Sequence, residues 1–240
     1  MFRYLESGES VDILEMLFAE ERGHVDSPWV MLNMVSSVDG ATALRGGATA
    51  LNDTDDRALF LALRAVADVV LVGAQTIRSE NMGPVRMSDE MSRYREKFGQ
   101  VGEPRLAILT RSLNLDPGER LFADPKRRPI VLTEDGADPD RLAAISQVAE
   151  VVQAPVLDGA GIVGALGEST VILCEGGPTV NSQLIAAGLV DEINLTISPL
   201  FAMGESKRIA SGRELDPPAE LRLERILVGD RSLFLRYLRE

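Results

Sequence analysis

The sequence predicts an α/β fold on a mixed, mostly parallel central sheet. Three observations carry that expectation. Short apolar runs without alternation recur at residues 69–72, 106–109 and 171–174, the pattern of strands buried on both faces. Helical stretches separate the runs, at the spacing of strand–helix–strand crossovers. The end of the chain differs, because two strands follow each other after Leu221 with only Gly229-Asp230-Arg231-Ser232 between them. That is a hairpin signal, so the sheet has an antiparallel edge.

The elements follow in order. In residues 10–22, Val11, Leu14, Leu17 and Phe18 stand at helical spacing with acids between them, and Ser10 is the expected N-cap. Residues 29–38 read as a strand running into Ser36-Ser37-Val38-Asp39-Gly40. Residues 41–44 are a short strand or loop leading to Arg45-Gly46-Gly47. Residues 53–66 form the clearest helix, capped by Asp53 or Thr54, with Leu59, Phe60, Leu63 and Val66 as its apolar stripe. A buried strand over 69–72 ends at Gly73, and a short helix runs over 74–80. Residues 81–103 are polar and read as a long surface excursion. Strands are expected at 106–109, 129–132, 150–153, 193–197, 221–228 and 233–238, with a helix at 138–148. Neither a repeat nor a linker divides the chain. It reads as one domain over 1–240, a helical N-terminal extension (1–27) preceding a core (28–240).

The most informative stretch is 171–182. The apolar run Val171 to Cys174 turns through Glu175, Gly176 and Gly177, and Pro178 opens a helix that stops at Gly188. Such a bend offers bare backbone amides at the positive end of a helix dipole, a site for phosphate. A plain strand-to-helix turn without a ligand fits this segment equally well. Gly159-Ala160-Gly161-Ile162-Val163-Gly164 matches the dinucleotide pattern G-x-G-x-x-G. The match is rejected, because Glu175 follows too soon and no full crossover helix fits between the strands. A short helical or turn connection is expected instead.

Composition narrows the function. The chain has 240 residues, 45% of them hydrophobic, and a formal net charge of −12 from 25 basic and 37 acidic residues. That balance argues against a nucleic-acid partner. Cys174 is the single cysteine, which excludes a disulfide framework and a cysteine-rich metal site. His24, the single histidine, reads as a surface residue, and no metal is expected. No stretch has membrane-spanning length and no secretory signal pattern opens the chain, so a soluble, cytoplasmic protein is expected.

Ligands of open α/β sheets bind beyond the carboxyl ends of strands. Three such ends stand out: Ser36 to Gly40, Gly73-Ala74-Gln75-Thr76, and Glu175 to Thr179. A fourth, Thr110-Arg111-Ser112, supplies hydroxyls and a guanidinium suited to a phosphate monoester such as that on the 2′ position of NADPH.

The order of these motifs, from Met34-Val35-Ser36-Ser37-Val38-Asp39-Gly40 through the 63–76 stretch and Glu175-Gly176-Gly177-Pro178-Thr179 to the 187–192 and 197–204 stretches, resembles the reductase domain of the riboflavin-biosynthesis deaminase–reductases. The resemblance covers roughly residues 28–238. It implies a dihydrofolate-reductase-like three-layer fold, with helices on both faces of the sheet, and a homodimer. It also implies an NADPH-dependent reductase of the 5-amino-6-(5-phosphoribosylamino)uracil type, which passes hydride from NADPH to a ribose carbon. By position, Ser36, Gly73, Thr76 and Glu80 then touch the cofactor. Thr110, Arg111 and Ser112 hold its adenosine end. Gly176, Gly177, Pro178, Thr179, Val180 and Asn181 cradle its phosphates and nicotinamide side. Arg64 and Arg86 face the substrate phosphate, and Asp39, Thr49 and Glu175 line the rest of the substrate pocket.

The sequence departs from the family pattern at Asn81 and Pro84, and at Leu51, where many relatives place a tryptophan. The zinc-dependent deaminase half is absent, since one His and one Cys cannot supply its ligands. Asp39 is the candidate to orient or protonate the substrate, with a turn residue before Gly40 as its plain alternative. Glu175 is either a substrate acceptor or an acid favouring the helix dipole. A pteridine reductase and a non-catalytic NADPH-binding sensor are the competing functions.

Overall fold

The apolar runs become the centre of a sheet. In the computed structural model, which describes residues 2–23, 26–167 and 169–240, an 11-stranded sheet is built in the chain order β1 (Phe2–Tyr4), β2 (Ser10–Val11), α1 (Ile13–Ala19), β3 (Trp29–Ser37), α2 (Thr54–Val66), β4 (Val69–Gly73), α3 (Ala74–Glu80), α4 (Asp89–Lys97), β5 (Arg105–Leu109), β6 (Ile130–Glu134), α5 (Pro139–Val148), β7 (Glu150–Ala154), α6 (Gly159–Ala165), β8 (Val171–Cys174), α7 (Pro178–Ala186), β9 (Glu192–Ser198), β10 (Leu221–Val228) and β11 (Leu233–Arg239). His24 lies outside the described residues. The strand order is β2-β1-β10-β11-β9-β3-β8-β4-β5-β6-β7. From β9 to β7 neighbouring strands are parallel, and from β9 outward through β11, β10, β1 and β2 they are antiparallel.

Two apolar clusters sandwich the sheet. On one side Leu17, Leu59, Leu63 and Ile145, from α1, α2 and α5, pack with Val70 and Leu173; on the other, Ile162 and Leu184, from α6 and α7, pack with Leu71 and Ile172. The α/β fold with helices on both faces and a C-terminal hairpin is therefore as the sequence predicts.

Two expectations change. The N-terminal extension is not only helical, because β1 and β2 join the sheet beside β10, and the helix cap is Asp12, which accepts from the Leu14 and Glu15 amides, rather than Ser10. Strands of three and two residues leave no periodicity to read. The polar excursion 81–103 contains α4, whose Arg95 is 2% exposed. Its guanidinium donates to the carbonyls of Ala65, Ala67 and Gly102, which adds to the packing of Met91 and Tyr94 on the core and of Tyr94 on Phe18. The G-x-G-x-x-G stretch lies wholly inside α6, the short helical connection expected for it. A Cβ on Gly159 would sit 2.5 Å from the Gln183 carbonyl oxygen and 2.6 Å from the Ala187 Cβ. Its glycine serves the close packing of α6 on α7.

The inner face of the antiparallel half buries a charge cluster beside Phe2, Leu227 and Phe234, while its outer face is apolar. Glu192, with no exposed surface, accepts from Arg22 Nε at 3.0 Å, Trp29 Nε1 at 3.1 Å, Asn194 Nδ2 at 2.8 Å and Arg236 at 2.9 Å. Glu20 completes the cluster through Arg22, Arg225 and Arg236. Burial alone pushes the Glu192 carboxyl up, but Arg22 and Arg236 outweigh it and hold it at about 2. The opposite face carries Leu195, Ile197, Ile226, Val228, Leu233 and Leu235 in register, and Leu233 is 40% exposed.

Candidate functional site at the carboxyl edge of the sheet

Strand order assembles the motifs. Because β3, β8, β4 and β5 are consecutive neighbours and parallel, the four strand ends singled out by sequence sit side by side on one edge. Strand β8 stops opposite Leu32, so Met34 and Ser36 of β3 run on beside the bend that follows Cys174.

The bend is shaped by glycine. The Gly73 amide donates to the Gly176 carbonyl at 2.8 Å, tying the end of β4 to the bend. Gly176 has φ +93°, a region that favours glycine. A Cβ on Gly177 would stand 3.1 Å from Thr76 Oγ1, and one on Gly73 3.2 Å from Val180 Cγ2. The starts of α3 and α7 therefore lie against each other. Asp12, Asp53, Ser88, Asp138 and Asp158 cap α1, α2, α4, α5 and α6 with side-chain hydrogen bonds. By contrast, α3 and α7 begin at Gly73 and Gly177 with no side-chain cap. The first-turn amides of these two neighbours are left for another acceptor.

Not every residue of 176–181 faces that space. Val180 is buried against Gly73, and Asn181 is buried as well. Asn181 donates to the Ile209 carbonyl at 2.6 Å and accepts from the Cys174 thiol at 3.3 Å. Both side chains brace α7, whereas Thr179 is exposed. Burial pushes the Cys174 thiol up to about 12, so it is not a nucleophile.

Asp39 ties two loops together. Its carboxylate accepts from the Ser37 hydroxyl and from the amides of Ala202 and Met203, the latter at 2.8 Å. The Ser37 hydroxyl and these amides hold its pKa at about 2. A carboxyl held that low stays ionised near neutrality, which favours the orienting role over protonation of the substrate. The loop contacts are at full strength above the ordinary carboxylate pKa and are lost as pH falls through about 2. A kcat/KM profile should therefore show no inflection from Asp39 above about pH 4. Asp39→Asn should lower kcat while leaving dinucleotide affinity unchanged, and an inflection lost in Asp39→Asn would contradict this.

Glu80 and Thr49 meet. Glu80 accepts from the Ala48 amide at 2.9 Å and the Thr49 hydroxyl at 3.2 Å, so its carboxylate holds the 47–49 turn. The other side of this loop is held by Ser206, which accepts from the Thr42 and Ala43 amides. Leu51 is buried.

Arg64 and Glu175 are each other's partner. Arg64 Nε and Nη2 donate to the two Glu175 oxygens at 2.6 and 2.7 Å, with side chains 9% and 7% exposed. The guanidinium also lies 4.1 Å from the centre of the Phe60 ring. Arg86 does not join the site. It donates to the Asp124 carbonyl at 2.7 Å. Its neighbour Val85 shares a small cavity with Glu103, Pro104 and Pro129, ahead of β5 and β6 at the opposite edge of the sheet. The loop after α3 carries Arg86 away, which corrects its assignment to the substrate phosphate.

At the end of β5, Thr110 is buried and Arg111 is exposed. Arg111 Nε donates to Glu134, at the end of β6, at 3.2 Å. Arg141 donates to the Ser112 carbonyl at 2.8 Å. Glu134, Arg141 and Ser206 escape a reading of the sequence, because each arrives from another part of the chain with no local motif. Among the described residues no group of three or more His, Cys, Asp or Glu could hold a metal, and no helix is long and apolar enough to cross a membrane.

The sequence profile of the RibD C-terminal domain matches residues 28–235. The chain belongs to the RibD C-terminal domain family. The RibD C-terminal profile begins after Arg22, so the segment that completes the buried charge cluster lies ahead of it. Over 210 residues, 82% of this chain and 90% of its relative, this RibD-type domain is 26% identical to the 2,5-diamino-6-ribosylamino-4(3H)-pyrimidinone 5′-phosphate reductase of Methanothermobacter thermautotrophicus. The structure of a pyrimidine reductase-like protein from Corynebacterium diphtheriae superposes with a TM-score of 0.83 at 28% identity, covering 96% of this chain and 99% of that one. Dihydrofolate reductase from Enterococcus faecalis superposes with a TM-score of 0.50 at 13% identity over 88% of this chain and 96% of that one, a likeness of fold.

Proposed function

We propose that this protein is an NADPH-dependent reductase of a ribosylaminopyrimidine phosphate, acting in riboflavin biosynthesis. The observation that carries the reading is the pair of adjacent, glycine-started helices at the Gly73 and Gly177 bends, which lack the side-chain caps that close the other helices. Two such starts suit a diphosphate. The glycines fit it, since side chains at Gly73 and Gly177 would crowd the bend where backbone amides must approach an anion. In this reading Gly176, Gly177, Pro178 and Thr179 hold the diphosphate with Gly73 and Thr76. Ser36 flanks the nicotinamide side, and Thr110, Arg111 and Ser112 hold the adenosine end with its 2′-phosphate. When bound, NADPH supplies the hydride. Asp39, Thr49 and the Arg64–Glu175 pair border the substrate, and Glu80 positions Thr49. Asp39, fixed as a carboxylate, accepts hydrogen bonds from a substrate hydroxyl or amine.

The relative in Methanothermobacter is named for the 2,5-diamino pyrimidinone, which retains the amino group that the uracil substrate has lost. The test supplies each phosphate, with dihydrofolate alongside, and follows NADPH absorbance. Oxidation with a ribosylaminopyrimidine phosphate and none with dihydrofolate is expected. The opposite result points to a pteridine reductase, and cofactor binding without oxidation to a sensor.

The reading includes a cytoplasmic homodimer. Its support is the apolar outer face of β9, β11 and β10, whose leucines and isoleucines lie on the side of the sheet opposite the buried charge cluster. Leu235→Glu is expected to convert a dimer to a monomer in sedimentation velocity, and a wild type that sediments as a monomer removes the proposal.

A further inference from the structure

We propose, on the nicotinamide-dinucleotide reading above, that Glu134 is a specificity-determining residue that limits the preference for a 2′-phosphorylated cofactor over its unphosphorylated form. Parallel neighbours in a sheet are spaced ~4.8 Å apart, so the end of β6 lies roughly 14 Å along the edge from the end of β8. A dinucleotide with its diphosphate at the Gly177 bend and its adenosine half laid toward β5 brings its ribose to Arg111. Charged groups at that place include Arg111, Arg141 and Glu134. Arg111 spends its Nε on Glu134 at 3.2 Å, and the same Glu134 oxygen accepts the Leu157 amide at 3.2 Å, which fixes the carboxylate in place. Arg141, anchored on the Ser112 carbonyl, is the second cation.

A carboxylate there acts against the arginines. It neutralises part of the Arg111 charge and repels a phosphate dianion brought to the same guanidinium. Toward a ribose that bears a 2′-hydroxyl it is an acceptor instead. Arg111 and Glu134 therefore pull cofactor choice in opposite directions.

The experiment titrates the full chain with NADP⁺, NAD⁺, 2′,5′-ADP and 5′-AMP by calorimetry, for wild type, Glu134→Gln, Glu134→Asp and Arg111→Ala. Glu134→Gln is expected to raise the preference for the phosphorylated member of each pair on the order of tenfold. Glu134→Asp, which keeps the charge, should stay near wild type, and Arg111→Ala should move the preference the other way. An unchanged preference in Glu134→Gln, or an Asp variant that behaves like Gln, overturns the assignment to Glu134 while the dinucleotide site stands. Failure of the wild type to bind any of the four overturns both.

Discussion

Glu192→Gln is expected to destabilise the protein by about 3–5 kcal/mol, the cost of leaving buried charges without their counter-charge. The carboxylate has no exposed surface and is bound by Arg22 and Arg236 at 3.0 and 2.9 Å. Removing its charge leaves two guanidinium groups at the same buried point, with Glu20 as the remaining acid of the cluster. Linkage gives the pH dependence. The folded pKa is depressed to about 2, so the stabilisation is complete above the unfolded carboxyl value of about 4.3 and is lost as pH falls through the folded value. Wild-type stability should drop between about pH 4 and pH 2, and Glu192→Gln should flatten that part of the curve. Urea melts at neutral pH check the size, read as a shift in midpoint with an unchanged slope. A loss under about 1 kcal/mol would mean that water reaches the cluster and screens it. Dinucleotide binding should survive wherever the variant is folded, because the cluster lies in the antiparallel half.

The same cluster shows what the sequence conceals. Strands β4 and β8 were legible because both faces are covered and every residue is apolar. Helix α2 was legible because Asp53 caps it and acids fill its first turn. Helix α4 was not, because its one fully buried side chain is Arg95, whose guanidinium reaches backbone carbonyls, and its apolar contacts are only the half-buried Met91 and Tyr94. At the site, each strand-end motif could be read locally, but adjacency could not. It depends on β8 entering the sheet between β3 and β4, more than a hundred residues away in the chain. Glu175 lies 111 residues from Arg64, the Ala202 amide 163 from Asp39 and Glu134 23 from Arg111, so residue type suggested ligand contacts where the fold has already supplied partners.

Arg64→Met is the second large effect expected, and it separates positioning from direct substrate contact. Arg64 joins the last turns of α2 to the residue just before the Gly176 bend through two hydrogen bonds of 2.6 and 2.7 Å. Its removal leaves the 7%-exposed Glu175 carboxylate without a cation, at a destabilisation of about 3–5 kcal/mol. The orphaned carboxylate then faces the edge where the diphosphate is proposed to sit, so dinucleotide affinity should fall too. Glu175→Gln leaves a cation instead, and should destabilise the fold without weakening anion binding. The double variant Arg64→Met/Glu175→Gln should recover part of both losses, with a coupling energy of about 1–3 kcal/mol. A shifted bend misplaces the cofactor against its acceptor, which can lower kcat/KM by about 100-fold. If the two residues bind substrate directly, the outcome differs: each single change raises the substrate KM, stability hardly moves, and the double variant is no better than the worse single. Thermal melts and dinucleotide titrations of the four proteins decide between the two, because the opposite charges left behind must push anion affinity in opposite directions if the pair is a brace.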